Sequence, residues 1–220
     1  MKEVARGVFL LDSFPRFFIN RYYFDGTLVD TGWHWWKRNT LRELRAFPLS
    51  AIVLTHGHPD HQGGAREICE LTGVPLCCGE KEREIVETAK MELSLPDNPF
   101  IRGAAQWLAG PGSTVSRVLH EGDVIGEFHV IETPGHTPGH ISLFRPSDGV
   151  LILGDVIANV RSIPGHWGLR EPPRCFSCDP VTNRESARKL ASLESSCICF
   201  GHGPPLYDGR KFKAFVDDLP

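Results

Sequence analysis

No stretch of the 220 residues stays apolar long enough to cross a bilayer. The N-terminal apolar run Val8–Leu11 ends at Asp12, too short for the core of a secretory signal, so a cytoplasmic protein with no membrane partner is expected. An excess of positive charge is also missing. The formal net charge of −3 argues against the basic surface that phosphate backbones select, and no nucleic-acid partner is expected. The chain has neither a repeat of fixed period nor a low-complexity tract, and its length suits one domain spanning 1–220. Cysteine usage points away from a disulfide framework, because seven is an odd number and no secretory signal accompanies it. Cys175-Phe-Ser-Cys178 is a CxxC pair without a second pair to complete a structural zinc site, so two loop thiols are the plainer reading. Cys197 and Cys199, in an apolar Cys-Ile-Cys-Phe run, read as small core hydrophobes.

What is present is an alternation of short apolar strands and amphipathic helices, the pattern of an α/β protein. Val8–Leu11, Phe17–Phe24 and Thr27–Val29 read as strands, the last two joined at the hairpin signal Asp25-Gly26. Thr40-Leu-Arg-Glu43 has capping-box spacing and predicts a helix from about Leu41. Ala51–Leu54 reads as a doubly buried strand. A helix bearing Ala65, Ile68, Cys69 and Thr72 on one face should end at Gly73, followed by a strand over Val74–Cys78 and a helix over Glu80–Lys90. Prolines and glycines break the pattern over 91–116, apart from a short helix near Ile101–Leu108. Strands resume at Phe128–Glu132, Ile141–Phe144 and Val150–Leu153. A long loop follows, roughly 159–178, then a helix capped by Asp179 with Pro180 in its first turn, and a final strand over Ile198–Phe200.

The chemistry is concentrated behind the strands. His56-Gly-His58-Pro-Asp60-His61 follows the Ala51–Leu54 strand, and Gly57 and Pro59 fit a constrained turn better than a helix. Neutral imidazoles and a carboxylate are suitable zinc ligands, and burying them without a metal would be costly. Three further candidates lie beyond apolar runs in the same manner: His136 in Thr133-Pro-Gly-His-Thr-Pro-Gly-His140, Asp155 after Val150–Gly154, and His202 in Gly201-His-Gly203. Seven potential ligands are too many for one tetrahedral zinc and suit two.

The order HxHxDH, TPGHTPGH, GD and GHG resembles the metallo-β-lactamase superfamily, nearest to its glyoxalase II-like hydrolases, and Val29-Asp30-Thr31-Gly32 resembles an early signature of that family. The resemblance implies a four-layer αβ/βα sandwich. It implies that His56, His58 and His136 bind a first zinc, that Asp60, His61 and His202 bind a second, and that Asp155 bridges the two. Iron or manganese are the alternatives. His140 and Asp30 would support ligands by hydrogen bonds. A metal-bound hydroxide would then attack an ester, thioester or lactone carbonyl of a small molecule, with Asp60 assisting proton transfer. Alternatives within the family are an amide hydrolase of β-lactamase type and an iron-dependent persulfide dioxygenase using His56, His136 and Asp155. Only 18 residues follow His202, where the family's glyoxalase II enzymes carry a sizeable helical extension, so a small relative acting on other esters or thioesters is expected rather than a glutathione-thioester hydrolase. Trp33, Trp35 and Trp36 either line an apolar substrate pocket or pack beneath the Thr40 helix, and His166 and Trp167 form a further candidate substrate loop. Monomer and homodimer both remain open.

Overall fold

A computed structural model describes residues 1–161 and 165–220. Two sheets form its centre. The first has seven strands in sequential order: β1 (Lys2–Ala5), β2 (Val8–Leu10), β3 (Tyr22–Phe24), β4 (Thr27–Val29), β5 (Ala51–Val53), β6 (Leu76–Gly79) and β7 (Arg117–Leu119). The pairings from β1 to β4 are antiparallel, and those from β4 to β7 are parallel. The second sheet runs in the order β12-β11-β10-β9-β8, from β8 (Val124–Ile125), β9 (Phe128–Glu132), β10 (Ile141–Arg145), β11 (Val150–Gly154) and β12 (Cys197–Phe200); only the β11–β12 pairing is parallel.

Strand periodicity of two builds three packed layers of side chains from these sheets. In β11, Val150 and Ile152 enter the core between the sheets with Val29, Val53, Phe128 and Leu143, while Leu151 and Leu153 face outward. Two helices cover that outer face: α6 (Pro180–Ala191) through Ala187 and Leu190, and α7 (Gly209–Asp217) through Phe212 and Val216. On the first sheet, Ile52, Leu54 and Leu76 meet Ala65 and Ile68 of α3 (Ala65–Thr72) and Val86 of α4 (Arg83–Thr88). The result is the expected αβ/βα sandwich. Cys197 and Cys199 are buried between the sheets, and all seven cysteines are free thiols.

Several local expectations change. The helix expected from Leu41 is α1 (Lys37–Glu43), so Thr40 and Glu43 lie inside it and no capping box forms. Buried Thr40 instead binds Trp36 O and the Arg21 guanidinium, and Glu43 accepts from Asp12 N at 2.8 Å. Only Tyr22–Phe24 of the expected Phe17–Phe24 strand is extended in a sheet, because Phe17 has a left-handed φ of 61°. Pro59–Gln62 forms a one-turn helix, α2, with Pro59 in its first turn, where a missing N–H costs nothing. Residues 80–90 divide into a 3₁₀ turn (Glu80–Glu82) and α4, which stops at left-handed Ala89. The expected loop at 159–178 includes residues 162–164, which lie outside the described residues; Ala158 and Arg170 form a bridge across it. No helix among the described residues is long and apolar enough to cross a membrane.

Candidate metal centre

Strand ends carry the polar residues to one end of the sandwich. Asp30 follows β4, the His56–His61 cluster follows β5, His136 and His140 occupy the β9–β10 turn, Asp155 follows β11 and His202 follows β12. All seven expected ligands come together there. The ligand atoms of His56, His58 and His136 lie within 4.8 Å of one another, as do those of His56, His61 and Asp155, and those of Asp60, His61 and His202. His56 and His61 each belong to two of these groups, which makes the three one continuous cluster.

Each imidazole is held by its outer nitrogen. His58 Nε2–H donates to Ser94 O at 3.1 Å, His61 Nδ1–H to Asp30 Oδ2 at 2.8 Å, and His202 Nδ1–H to Phe18 O. Thr55 Oγ1 is 3.0 Å from His56 Nδ1, and Ser177 Oγ is 3.1 Å from His136 Nδ1. Such contacts fix tautomer and ring angle and leave the inner nitrogen as the atom turned to a metal. The inner atoms converge: His136 Nε2 and His58 Nδ1 stand 3.0 Å apart, and His202 Nε2 is 3.1 Å from Asp155 Oδ2 and 3.4 Å from Asp60 Oδ2. His56 Nε2, His61 Nε2 and Asp155 Oδ1 are buried without any hydrogen-bond partner. Polar atoms left so are expensive, and cations shared among them would satisfy all three. The donor set of five imidazoles and two carboxylates therefore fits metal ions that take nitrogen and oxygen ligands.

The electrostatics agree with that fit. Burial, reinforced by neighbouring imidazoles, holds His56 and His136 well below the usual histidine range, so both are neutral. Burial opposes ionisation of Asp60 and Asp155, yet the facing His61 and His202 keep both carboxyls below their usual range. Burial also opposes a charge on His61, but Asp155, Asp30 and Asp60 together push it up to about 9.

Supporting residues determine how these loops sit. Asp30 accepts from Thr55 N at 2.8 Å and Thr55 Oγ1 at 2.9 Å as well as from His61. His140 stands outside all three ligand groups. Its Nε2 accepts from Asp155 N at 3.0 Å and its Nδ1 meets Thr133 Oγ1 at 2.8 Å, while burial pushes its pKa down to about 3. Glu82, fully buried, accepts from Gly57 N and Gly139 N, both at 2.8 Å, and so joins the loop of His56 and His58 to that of His136 and His140. Gly201 is required by close approach, since a Cβ there would stand 2.0 Å from Asp155 Oδ1.

His58, Asp60, His136, Asp155 and His202 open onto a cavity of about 510 Å³ with otherwise mainly apolar walls. One wall is α5 (Pro99–Leu108), which contributes Phe100, Ile101, Ala104, Ala105 and Leu108; Trp33, Phe18, Pro172 and Phe176 add to the others. Of the aromatic residues expected at the pocket, Trp33 lines it. Trp35 stacks behind Trp33 with ring centroids 5.1 Å apart, and Trp36 lies 5.1 Å from the Arg21 guanidinium. His166 and Trp167 are exposed and do not line the cavity; Trp167 packs edge-on against Phe17. Cys175 and Cys178 join none of the ligand groups, but Ser177 between them orients His136.

Residues 24–202 match the family described as the metallo-beta-lactamase superfamily. The chain belongs to that superfamily. The relative named "Probable metallo-hydrolase YflN" of Bacillus subtilis (strain 168) is 36% identical over 190 residues, covering 79% of this chain and 71% of that protein. A hydroxyacylglutathione hydrolase of Pectobacterium atrosepticum is 32% identical over 166 residues, which span 74% of this chain but only 51% of the relative. The crystal structure of BJP-1, a subclass B3 metallo-beta-lactamase of Bradyrhizobium japonicum, superposes with a TM-score of 0.72 over 99% of this chain and 89% of that one. At 20% identity that likeness speaks for the fold alone. As a member of this superfamily, the chain is a metal-dependent hydrolase.

The helix expected near Ile101–Leu108 is α5, but neither its place in the cavity wall nor the role of Glu82 was legible in the sequence. Asn98-Pro99 carries a signal for where the helix starts: it repeats the cap-plus-proline pattern of Asp179-Pro180, and the Asn98 side chain accepts from Phe100 N and Ile101 N. A glutamate that staples two loops distant in sequence left no local signature.

Proposed function

We propose that the chain, acting as one domain over 1–220, binds two zinc ions through His56, His58, Asp60, His61, His136, Asp155 and His202 and hydrolyses an ester, thioester or lactone of a small molecule. One observation carries this reading: five imidazoles tethered by their outer nitrogens turn their inner nitrogens, with two carboxylates, onto a point at the floor of an apolar cavity. A zinc pair bound there would supply Lewis acidity and a water acidic enough to ionise near pH 7. The chain's own residues do the rest. Trp33, Ile101 and Leu108 hold the apolar part of the substrate and keep bulk water from the carbonyl. Asp60, which lines the cavity as an anion and turns Oδ2 toward His202, receives at its other oxygen, Oδ1, the proton released during attack and returns it to the leaving oxygen or sulfur. Asp155 keeps its carboxylate between the His61 and His202 rings, 3.7 Å and 3.1 Å away. Seven free thiols suit the reducing conditions of a cytoplasm.

The test is a turnover panel of thioesters, aryl esters, lactones and β-lactams on zinc-loaded protein, with metal quantified in parallel. Hydrolysis of the first three classes at two zinc ions per chain is expected. Full turnover by the metal-free protein would refute the reading, as would one bound iron with oxygen consumption on a persulfide.

A further inference from the structure

Among the described residues, the cavity combines apolar walls with one arginine that the hydrolytic reading does not use. Arg170 lines it, half-buried, on the bridge to Ala158: Ala158 N donates to Arg170 O at 3.0 Å, and Arg170 N to Ala158 O at 2.9 Å. Ala158 lies three residues beyond Asp155, and the adjoining Asn159 N donates to His202 O at 2.9 Å, so the backbone beneath Arg170 is fixed to the segments bearing two candidate ligands. Among the described residues, the guanidinium is steadied by two carbonyls, Glu171 O at 3.2 Å from Nε and Arg161 O from Nη1. The adjacent acid is already engaged, because Glu171 pairs with Arg184 at 2.6 Å and 3.1 Å. Among the described residues, no carboxylate forms an ion pair with Arg170. Asp60 and Asp155, the carboxylates on the cavity wall, face the histidines instead.

An arginine oriented by neutral carbonyls and lining a cavity keeps its charge for a ligand. Ile101, Ala104, Ala105 and Leu108 recur at helical spacing along α5 and line the same space. We infer that this site takes an amphipathic monoanion, a substrate whose apolar body lies along α5 and whose single anionic group rests on Arg170. This deepens the hydrolase reading by naming its substrate class. A glutathione thioester, with several charged groups along a polar peptide, does not match apolar walls with one uncompensated cation.

The test uses the zinc-loaded full chain, with Trp33 on the cavity wall as the fluorescent reporter. The probes are hexane-1-sulfonate, octane-1-sulfonate and 1-octanol, sulfonates being weak zinc ligands. Burial of two further methylenes should tighten octanesulfonate over hexanesulfonate about fifteen-fold. The ratio of octanesulfonate to octanol affinity should fall about ten-fold or more in Arg170→Gln. Ala104→Phe, an exposed position on α5, should shorten the chain length that binds best. An unchanged ratio in Arg170→Gln, equal binding of the two sulfonates, or no binding at all would overturn the inference. A protein that binds octanesulfonate through Arg170 but cleaves no ester refutes the hydrolase reading and supports the pocket. A hydrolase indifferent to chain length and to Arg170→Gln does the reverse.

Discussion

Replacing Glu82 with glutamine separates the fold from the metal centre. The carboxylate accepts two backbone N–H groups, Gly57 N and Gly139 N, one from each ligand loop. Glutamine keeps one acceptor oxygen and turns an N–H₂ group toward the other N–H donor. Burial holds the Glu82 carboxyl above its usual range, against the amides it binds. Its folded pKa therefore exceeds the unfolded value, and its ionised form lowers stability as pH rises past the carboxylate range. Glu82→Gln removes that cost while losing a charge-assisted hydrogen bond of about 1.5–3 kcal/mol. The two effects oppose each other, so the net loss should be within about 2 kcal/mol, a melting shift of about 4–8 °C or less for a chain of this size. Zinc affinity has no such compensation. Parting the Gly57 loop from the Gly139 loop moves His56 and His58 away from His136, and about 10–100-fold weaker binding is expected, as for other residues that orient ligands. Competition with a chromophoric chelator at pH 7, beside circular dichroism and thermal melting, measures both quantities. Unchanged zinc affinity in a folded Glu82→Gln protein would refute the reasoning. So would weakened affinity that tracks lost stability alone, with Glu82→Asp restoring neither.

Asp30→Asn should also weaken zinc binding about 10–100-fold, because the amide cannot accept from Thr55 N, Thr55 Oγ1 and His61 together; isothermal titration would show it. His140→Ala leaves Asp155 N–H unpaired beside a cavity and should cost about 2–4 kcal/mol in urea unfolding, part of which His140→Gln recovers. Chelation of a protein saturated at about a hundred times its Kd should lower the melting temperature by about 5–11 °C in differential scanning calorimetry. That gap should widen with pH. In the metal-free protein His61 is raised from about 6.5 to about 9, so its contribution to stability is complete below 6.5 and fades as pH rises through 9. Zinc must displace the same proton, and its apparent affinity should climb over that window.

How far the site could be read from sequence follows from where each part is specified. His56, His58, Asp60 and His61 are four chemically distinctive residues within one turn and helix, so their spacing alone declares them. His136, Asp155 and His202 each follow a buried strand, and a sheet places consecutive strand ends at one end of the molecule whatever lies between them. The failures share the opposite property. Thr40 and Glu43 satisfy the capping-box spacing, but helix propensity extends α1 back to Lys37, and the two side chains are used by Arg21 and Asp12 from elsewhere in the chain. Local rules yield there to tertiary partners that no window of sequence contains.

The same distinction separates the metal centre from the substrate pocket. A metal fixes the identity of its ligands, because few side chains can serve. An apolar wall needs only volume and hydrophobicity, so Ile101, Ala104 and Leu108 look in sequence like any amphipathic helix turned toward a core. Once folded, none of the residues of α5 is buried, although some pack partly against Ile85, Met91 and Leu95. A helix whose apolar stripe stays this open gains little from the fold alone. In Arg170 the cavity likewise keeps a cation that no acid among the described residues pairs. Both features leave interactions unsatisfied, and both face the same space as the ligands of the hydrolytic centre. An amphipathic anion satisfies the two together, whereas a purely apolar ligand would leave the guanidinium with carbonyl partners but no counter-charge.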